Sequence, residues 1–351
     1  MNMPFNELRK DYILNRWVVI AVERCRRPTD FVKNETIRER AGVCPLCPGN
    51  EHMTPPAVLL YLNRGGQIEK AADCGDSRPK DWLIRCVPNL YPAFTPPKPG
   101  EKTSIIGEVG GGNLALAVGH HEVLVESPVH DEHPSDARIT QLIYVINAYM
   151  DRLSELYSRQ YVRYVSIFRN HGPEAGASLS HAHSQIIATP MVPRLVAEEL
   201  EASKEQWRSK GVCAFCEIIE NEKKSSRLIA ENPDFVALAP YASIHPMEFW
   251  ILPKKHRSTL LGLSETETGN LAKIMKACLG GLKRLLNDPP YNFGFHMAPQ
   301  GEAAPYYHWH LEVYPKLAIW AGFEKSTGMY INTISPETAA EHLRGVIQQQ
   351  D

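Results

Sequence analysis

The chain has 351 residues, with 38 Lys and Arg against 40 Asp and Glu and a formal net charge of −2. That length supports one large core or two ordinary ones. Its mixed charges offer no basic block for a nucleic-acid polymer, and its apolar runs are too short and broken for a membrane span. The N-terminal MNMPFNELRKDY lacks the apolar stretch of a secretory signal, so a cytoplasmic protein with no membrane partner is expected. Eight cysteines in such a chain argue against a disulfide framework.

In chain order, the first strong signal is Cys44-Pro-Leu-Cys47, a pair that points to metal or to redox chemistry. A thioredoxin-like use needs a helix starting at that cysteine, and nothing here suggests one. The Pro- and Gly-rich 91–113 predicts a loop. HEVLVESPVH (121–130) predicts a strand closed by a proline and a histidine. From about Ser135, an apolar stripe of Ile139, Leu142, Ile143, Ile146, Met150 and Leu153 predicts an amphipathic helix. A strand over Tyr161–Phe168 follows, and then SHAHSQ (180–185), whose two histidines share a face if the segment is extended. Residues 189–210 predict a connector with a short polar helix.

The series then repeats. Cys213-Ala-Phe-Cys216 leads to HPMEFWILPKKH (245–256), again a histidine, a strand-like run, a proline and a closing histidine. Ser264 and Glu267 have capping-box spacing ahead of a helix carrying Leu271, Ile274, Met275, Leu279 and Leu282 inward, which Asn287-Asp288-Pro289-Pro290 stops. A strand over Tyr291–Phe295 leads into YHWHLE (307–312). His130 and His181 are 51 residues apart, and His256 and His308 are 52 apart. The expectation is an α+β protein of two tandem copies of one unit, each an antiparallel sheet packed with a long helix, divided as 1–195 and 196–351.

Each copy supplies two cysteines and two histidines, a ligand set suited to tetrahedral zinc. The first set is Cys44, Cys47, His130 and His181; the second is Cys213, Cys216, His256 and His308. With all four positions filled by protein, both zincs are expected to be structural. His183 is then left free beside His181, with a backbone carbonyl able to fix its proton. Gln185 lies two residues further along the same face, where a neutral amide donates to a phosphoryl oxygen. Asn170-His171-Gly172 through Gly176-Ala177-Ser178 brings small residues and backbone N–H groups to the same place. In the second copy Glu312 stands where Gln185 stands in the first, so the two pockets are unequal and the nucleophile is expected to be His183 alone.

These residues resemble the galactose-1-phosphate uridylyltransferase family of the histidine-triad superfamily. The resemblance rests on Cys44-x-x-Cys47, Ser127-Pro-x-His130, Asn170-x-Gly172, Ser180-His-x-His-x-Gln185, His296 in GFHMAP and HWHLEVYP (308–315), and it spans essentially the whole chain. It implies ping-pong exchange of UMP between UDP-glucose and galactose 1-phosphate through a uridylyl-His183, with Gln185 holding the nonbridging oxygens. It also implies that Asn170 and Ser178 hold phosphates, that Arg24 and Arg27 offset diphosphate charge, that Asn89 lines the nucleotide pocket, and that the protein is a homodimer. Some members bind iron through a glutamate and three histidines. Glu199, His296 and His310 occupy similar places, but Glu312 replaces the last histidine, which favours a second Cys2His2 site and leaves His296 and His310 to line the pocket or pack. Gly322 replaces a hexose-contacting lysine; Lys325, Ser326 and Thr327 are the candidates for the sugar phosphate. That segment looks more like relatives acting on ADP-glucose and phosphate, so an ADP-sugar phosphorylase is the alternative. A noncatalytic zinc-stabilised binding module is a remote one.

Overall fold

The computed structural model describes residues 6–21, 31, 43–98, 116–299 and 305–349. Arg24, Arg27 and the part of the 91–113 loop from residue 99 onward lie outside them. The elements in order are β1 (Glu7–Lys10), β2 (Trp17–Ile20), β3 (Leu59–Arg64), β4 (Gln67–Ala71), β5 (Trp82–Pro88), β6 (His120–Val125), α1 (Ile139–Tyr157), β7 (Tyr164–His171) and β8 (His183–Thr189). Then come α2 (Arg194–Lys210), α3 (Ala214–Glu222), β9 (Leu228–Glu231), β10 (Phe235–Leu238), β11 (Phe249–Pro253), α4 (Glu265–Leu286), β12 (Tyr291–His296), β13 (His310–Pro315), α5 (Gly322–Thr327), β14 (Tyr330–Asn332) and α6 (Pro336–Gln348).

The chain is α+β. Eleven strands form one antiparallel sheet in the order β4-β3-β5-β6-β8-β7-β12-β13-β11-β10-β9, and β1, β2 and β14 form a small second sheet. Pairing of β7 with β12, from Tyr291 opposite His171 to Phe295 opposite Ile167, makes the large sheet continuous across its middle. One face is covered by α1, α4 and α6. There Leu124, Ile167, Ile186, Phe295, Leu311 and Val313 pack against Leu142, Ile146, Leu153, Leu271, Met275 and Leu282. Each such side chain, fully withdrawn from water, contributes about 1.5–3 kcal/mol. On the opposite face, Val236, Leu238, Trp250 and Leu252 carry Val196, Phe215 and Ile218 of α2 and α3.

Two long helices line up for different local reasons. Ser264 accepts from the Glu267 amide, and Glu267 caps back to complete the box, while Asn287 at φ 56° ends α4. In α1 the start lacks a side-chain cap, and Gln141 instead donates to Leu83 O at 2.8 Å and Glu126 O at 2.7 Å, stitching the helix to β5 and to the end of β6.

Three expectations need correction. The first helix begins at Ile139, four residues later than Ser135, because 133–137 close turns on the His133 carbonyl and Arg138 is extended at ψ 141°. The connector helix α2 is a full 17 residues, running from Pro193 as cap to Gly211 at φ 72°. His181 lies in a bend before β8, since the Ala182 amide donates to His130 O at 3.2 Å and draws this segment to the loop after β6. Among the described residues, no helix is long and apolar enough to cross a membrane.

Candidate active site and metal centres

The first Cys2His2 set is assembled by the turn at 44–50, the loop after β6 and the bend before β8. The ligand atoms of Cys44, Cys47, His130 and His181 all lie within 4.8 Å of one another. Cys47 Sγ is 3.3 Å from His130 Nδ1 and 3.5 Å from His181 Nδ1, and Cys44 Sγ is 3.7 Å from His181 Nδ1. A tetrahedral ion with bonds of about 2.3 Å to sulfur and about 2.0–2.1 Å to nitrogen separates these atoms by roughly 3.5 Å, so the spacing fits zinc. His181 Nε2 donates to Ser127 O at 2.8 Å, which places its proton on the outer nitrogen and its lone pair toward the cysteines.

Cys213, Cys216, His256 and His308 form the second set within the same limit. Cys216 Sγ is 3.4 Å from His256 Nδ1 and 3.5 Å from His308 Nδ1, while His308 Nε2 donates to Pro253 O at 2.8 Å. Here Cys213 caps α3. The hydrogen bond from Cys216, then His256 and His308, lower the Cys213 pKa against the cost of burial, while Cys213 and burial push the Cys216 thiol up, so the two sulfurs share a proton that a bound metal displaces.

A third group, Glu199, His296, His310 and Glu312, meets the same proximity limit and is buried throughout. Its partners are already supplied internally. His296 Nδ1 reaches both oxygens of Glu199 at 3.0 and 3.1 Å, Tyr307 donates to Glu199 at 2.7 Å, and His310 Nε2 lies 3.2 Å from Glu312 Oε1. Burial opposes a charged His296, but the Glu199 and Glu312 carboxylates outweigh it and raise its pKa to about 9. The imidazolium supplies the positive charge between the two acids.

His183 opens β8. Its register sets it opposite Val125, with Gln185 opposite Val123 and Ile187 opposite His121, so these six side chains share one face. His183 is buried, and its Nδ1 donates to His181 O at 2.7 Å. That bond puts the proton on Nδ1 and leaves the Nε2 lone pair available. Burial, and after it the Arg169 charge, lowers the pKa below the ordinary histidine value, keeping the ring neutral. In the second half His310 makes the same bond to His308 O, at 3.1 Å, but Glu312 also occupies its Nε2. A carboxylate in Gln185's place therefore blocks the ring as well as repelling a phosphate.

The backbone beneath His183 is fixed from the opposite face. Arg169 donates to His183 O at 3.1 Å and pairs with Glu126, which also accepts from Ser184 and from Tyr149. Sequence reasoning missed this buried group; an arginine and a glutamate inside strand-like runs were the available signal.

Asn170 follows Phe168, which pairs with Gln185, so continuing the register puts Asn170 across from His183. Its Oδ1 accepts from Asn292 at 2.8 Å, turning the NH2 group away from that partner. Gly172 and Gly176 adopt φ 82° and 89°, and a Cβ at Gly176 comes within 3.7 Å of Asn170 Nδ2. Ala177 N closes this turn onto Gly172 O at 3.1 Å, and Ser178 follows, exposed. Asn89, just past β5, approaches the same face through His121, whose Nε2 is 3.1 Å from Asn89 Nδ2. Lys325, Ser326 and Thr327 sit exposed on α5, and the two hydroxyls donate to Phe323 O.

The family model described as a domain of unknown function, DUF4921, matches residues 132–350. The ADP-glucose phosphorylase of Arabidopsis thaliana is 34% identical over 97% of this chain and 93% of its own length. The galactose-1-phosphate uridylyltransferase of Thermotoga maritima is 29% identical over 96% of this chain and 98% of its own. Among solved structures, an Arabidopsis thaliana ADP-glucose phosphorylase with bound ADP-glucose superposes with a TM-score of 0.79 at 31% identity, covering 97% of this chain and 98% of that one. A uridylyltransferase structure gives 0.74 at 29%, covering 98% and 99%. With its two cysteine–histidine clusters and the buried imidazole of His183 on an interior strand of one continuous sheet, this chain belongs to the galactose-1-phosphate uridylyltransferase family of nucleotidyltransferases, which embraces the ADP-glucose phosphorylase relatives.

Proposed function

We propose that this chain transfers a nucleotidyl group from a nucleotide sugar through His183, with ADP-glucose as donor and phosphate as acceptor. The observation that carries the reading is the 2.7 Å bond from His183 Nδ1 to His181 O, which leaves Nε2 as a neutral nucleophile on the face shared with Gln185. Nε2 attacks the α-phosphorus; the P–O bond to glucose 1-phosphate breaks, and an adenylyl-histidine forms. A phosphate oxygen then attacks the same phosphorus, the P–N bond breaks, and ADP leaves. Gln185 and Asn170 donate to the nonbridging oxygens as charge concentrates there, Gly176, Ala177 and Ser178 supply the adjoining turn, and Asn89 faces the nucleoside side.

Support for adenylyl transfer comes from the Arabidopsis phosphorylase relative and its ADP-glucose complex. Uridylyl transfer between UDP-glucose and galactose 1-phosphate is the second reading, favoured by the uridylyltransferase relatives. Zinc in the first Cys2His2 cluster holds the turn, loop and bend beside His183 in place, zinc in the second ties the start of α3 to the segments after β11 and before β13, and neither takes part in the transfer. The reading includes two tandem units, 1–195 with the nucleophile and 196–351 with the second zinc, a cytoplasmic homodimer, Arg24 and Arg27 as diphosphate partners, and Lys325, Ser326 and Thr327 at the sugar phosphate.

Intact mass after brief exposure to ADP-glucose or UDP-glucose tests it. An adenylyl adduct, absent from His183→Ala and discharged by phosphate, is expected. A uridylyl adduct discharged by galactose 1-phosphate moves the assignment to the second reading. Folded, zinc-loaded protein that forms neither adduct defeats the His183 mechanism.

A further inference from the structure

HEVLVESPVH opens with His121, a histidine that neither the zinc clusters nor the nucleophile uses. It sits on β6 diagonally across from Gln185, on the same face. A Cβ at Gly119, two residues before it, would approach Ala188 O to 2.1 Å, so only glycine lets β6 enter this close to β8. The imidazole is held at both nitrogens. The Ala93 backbone N–H donates to His121 Nδ1 at 3.1 Å, and His121 Nε2 lies 2.8 Å from Gln185 Oε1.

A backbone amide is always a donor, so Nδ1 must be the acceptor and Nε2 must carry the proton. That tautomer decides the neighbouring side chain. Nε2–H can donate only to the Gln185 oxygen, which turns the Gln185 NH2 group away from His121. Asn89, whose own Oδ1 accepts from the Tyr91 amide at 2.9 Å, has its NH2 3.1 Å from the same nitrogen, a donor facing a donor and so no hydrogen bond in this tautomer, and that NH2 is left for another acceptor. A carboxamide is nearly symmetric in shape, and only such a network selects its donor end. With Gln185 reversed, a carbonyl lone pair faces the phosphoryl oxygens.

Resting on the nucleotidyl-transfer reading, we propose that His121 is a positioning residue: it reads the Ala93 amide and thereby fixes the Gln185 NH2 toward the phosphoryl group undergoing transfer. It touches neither reacting atom. His121→Phe keeps the ring shape and removes both nitrogens; His121→Gln restores a donor that can reach Gln185 Oε1.

The experiment measures adenylyl transfer by wild type, His121→Phe, His121→Gln, Gln185→Ala and the His121→Phe/Gln185→Ala double variant, with zinc content and melting recorded for each. His121→Phe is expected to lower kcat about 10²-fold, in the range for one lost transition-state donor, with KM within about threefold. His121→Gln is expected to recover most of that loss, and the double variant to be no slower than Gln185→Ala, because both changes remove one donor. A His121→Phe enzyme within about threefold of wild type, or losses that multiply in the double variant, overturns the positioning role. Should His121→Phe fail to fold, His121→Leu is read in the same cycle. Wild type that forms no His183 adduct defeats the underlying reading instead, which keeps the two failures apart.

Discussion

Arg169→Met is expected to destabilise the fold severely, and its size follows from what surrounds the pair. Arg169 and Glu126 are 1% and 2% exposed, so water can neither screen nor solvate either charge once its partner is gone. Methionine fills much of the arginine's volume but strands the Glu126 carboxylate with, among the described residues, the Ser184 and Tyr149 hydroxyls as its remaining side-chain donors. Breaking such a pair by removing one partner costs about 3–5 kcal/mol, a large share of the roughly 5–15 kcal/mol that holds a typical protein folded. His183 O loses its Arg169 donor in the same step. The assay is reversible urea unfolding of Arg169→Met, Glu126→Gln and the double variant, with zinc present throughout. Glutamine keeps acceptor oxygen for the hydroxyls without a charge, so the double variant should recover about 2–3 kcal/mol of the sum of the single losses. Added salt should leave that coupling nearly unchanged, because it screens exposed pairs and not this one. A coupling within about 0.5 kcal/mol of zero would falsify the argument that the buried ion pair anchors β7 under His183.

Two further outcomes follow from other clusters. Cys47→Ser and Cys216→Ser should each lose one zinc equivalent by elemental analysis and lower the melting temperature; full zinc in both variants refutes the ligand assignment. Asp73, whose side chain is buried beside Arg85 and Arg78, contributes to the acid limb of stability. Burial raises its pKa, but the Ala57 amide, Arg85 and Arg78 together bring it below the usual value of 3.8. Its contribution is present above about pH 3.8 and disappears as pH falls through the lower folded value, so Asp73→Asn should flatten stability against pH in that window. An unchanged acid slope excludes the pair as its source.

Much of this protein is written in local pattern. The 3.6-residue stripe from Ile139 to Leu153 specified a helix whichever partner it found, and Ser264 with Glu267 marked the start of α4 from chemistry contained within three residues. The paired cysteines and spaced histidines named two candidate ligand sets, which the fold brings together, because few other uses suit those side chains at those separations. Helix onset was less legible: Arg138 looks like any helix former, and turns onto the His133 carbonyl override it.

What the sequence by itself determined was which side chains are available for chemistry: two sets of candidate soft metal ligands, a spare imidazole at 183 and an amide at 185 in place of the second half's carboxylate. Tertiary structure alone decided their states. The His183 tautomer depends on a carbonyl two residues back, the Gln185 orientation on a histidine from another strand, and the His296 charge on two glutamates brought together from α2 and β13. Hydrogen bonding and desolvation act over a few ångströms in space, and residues far apart along the chain reach that distance only when strands pair in register.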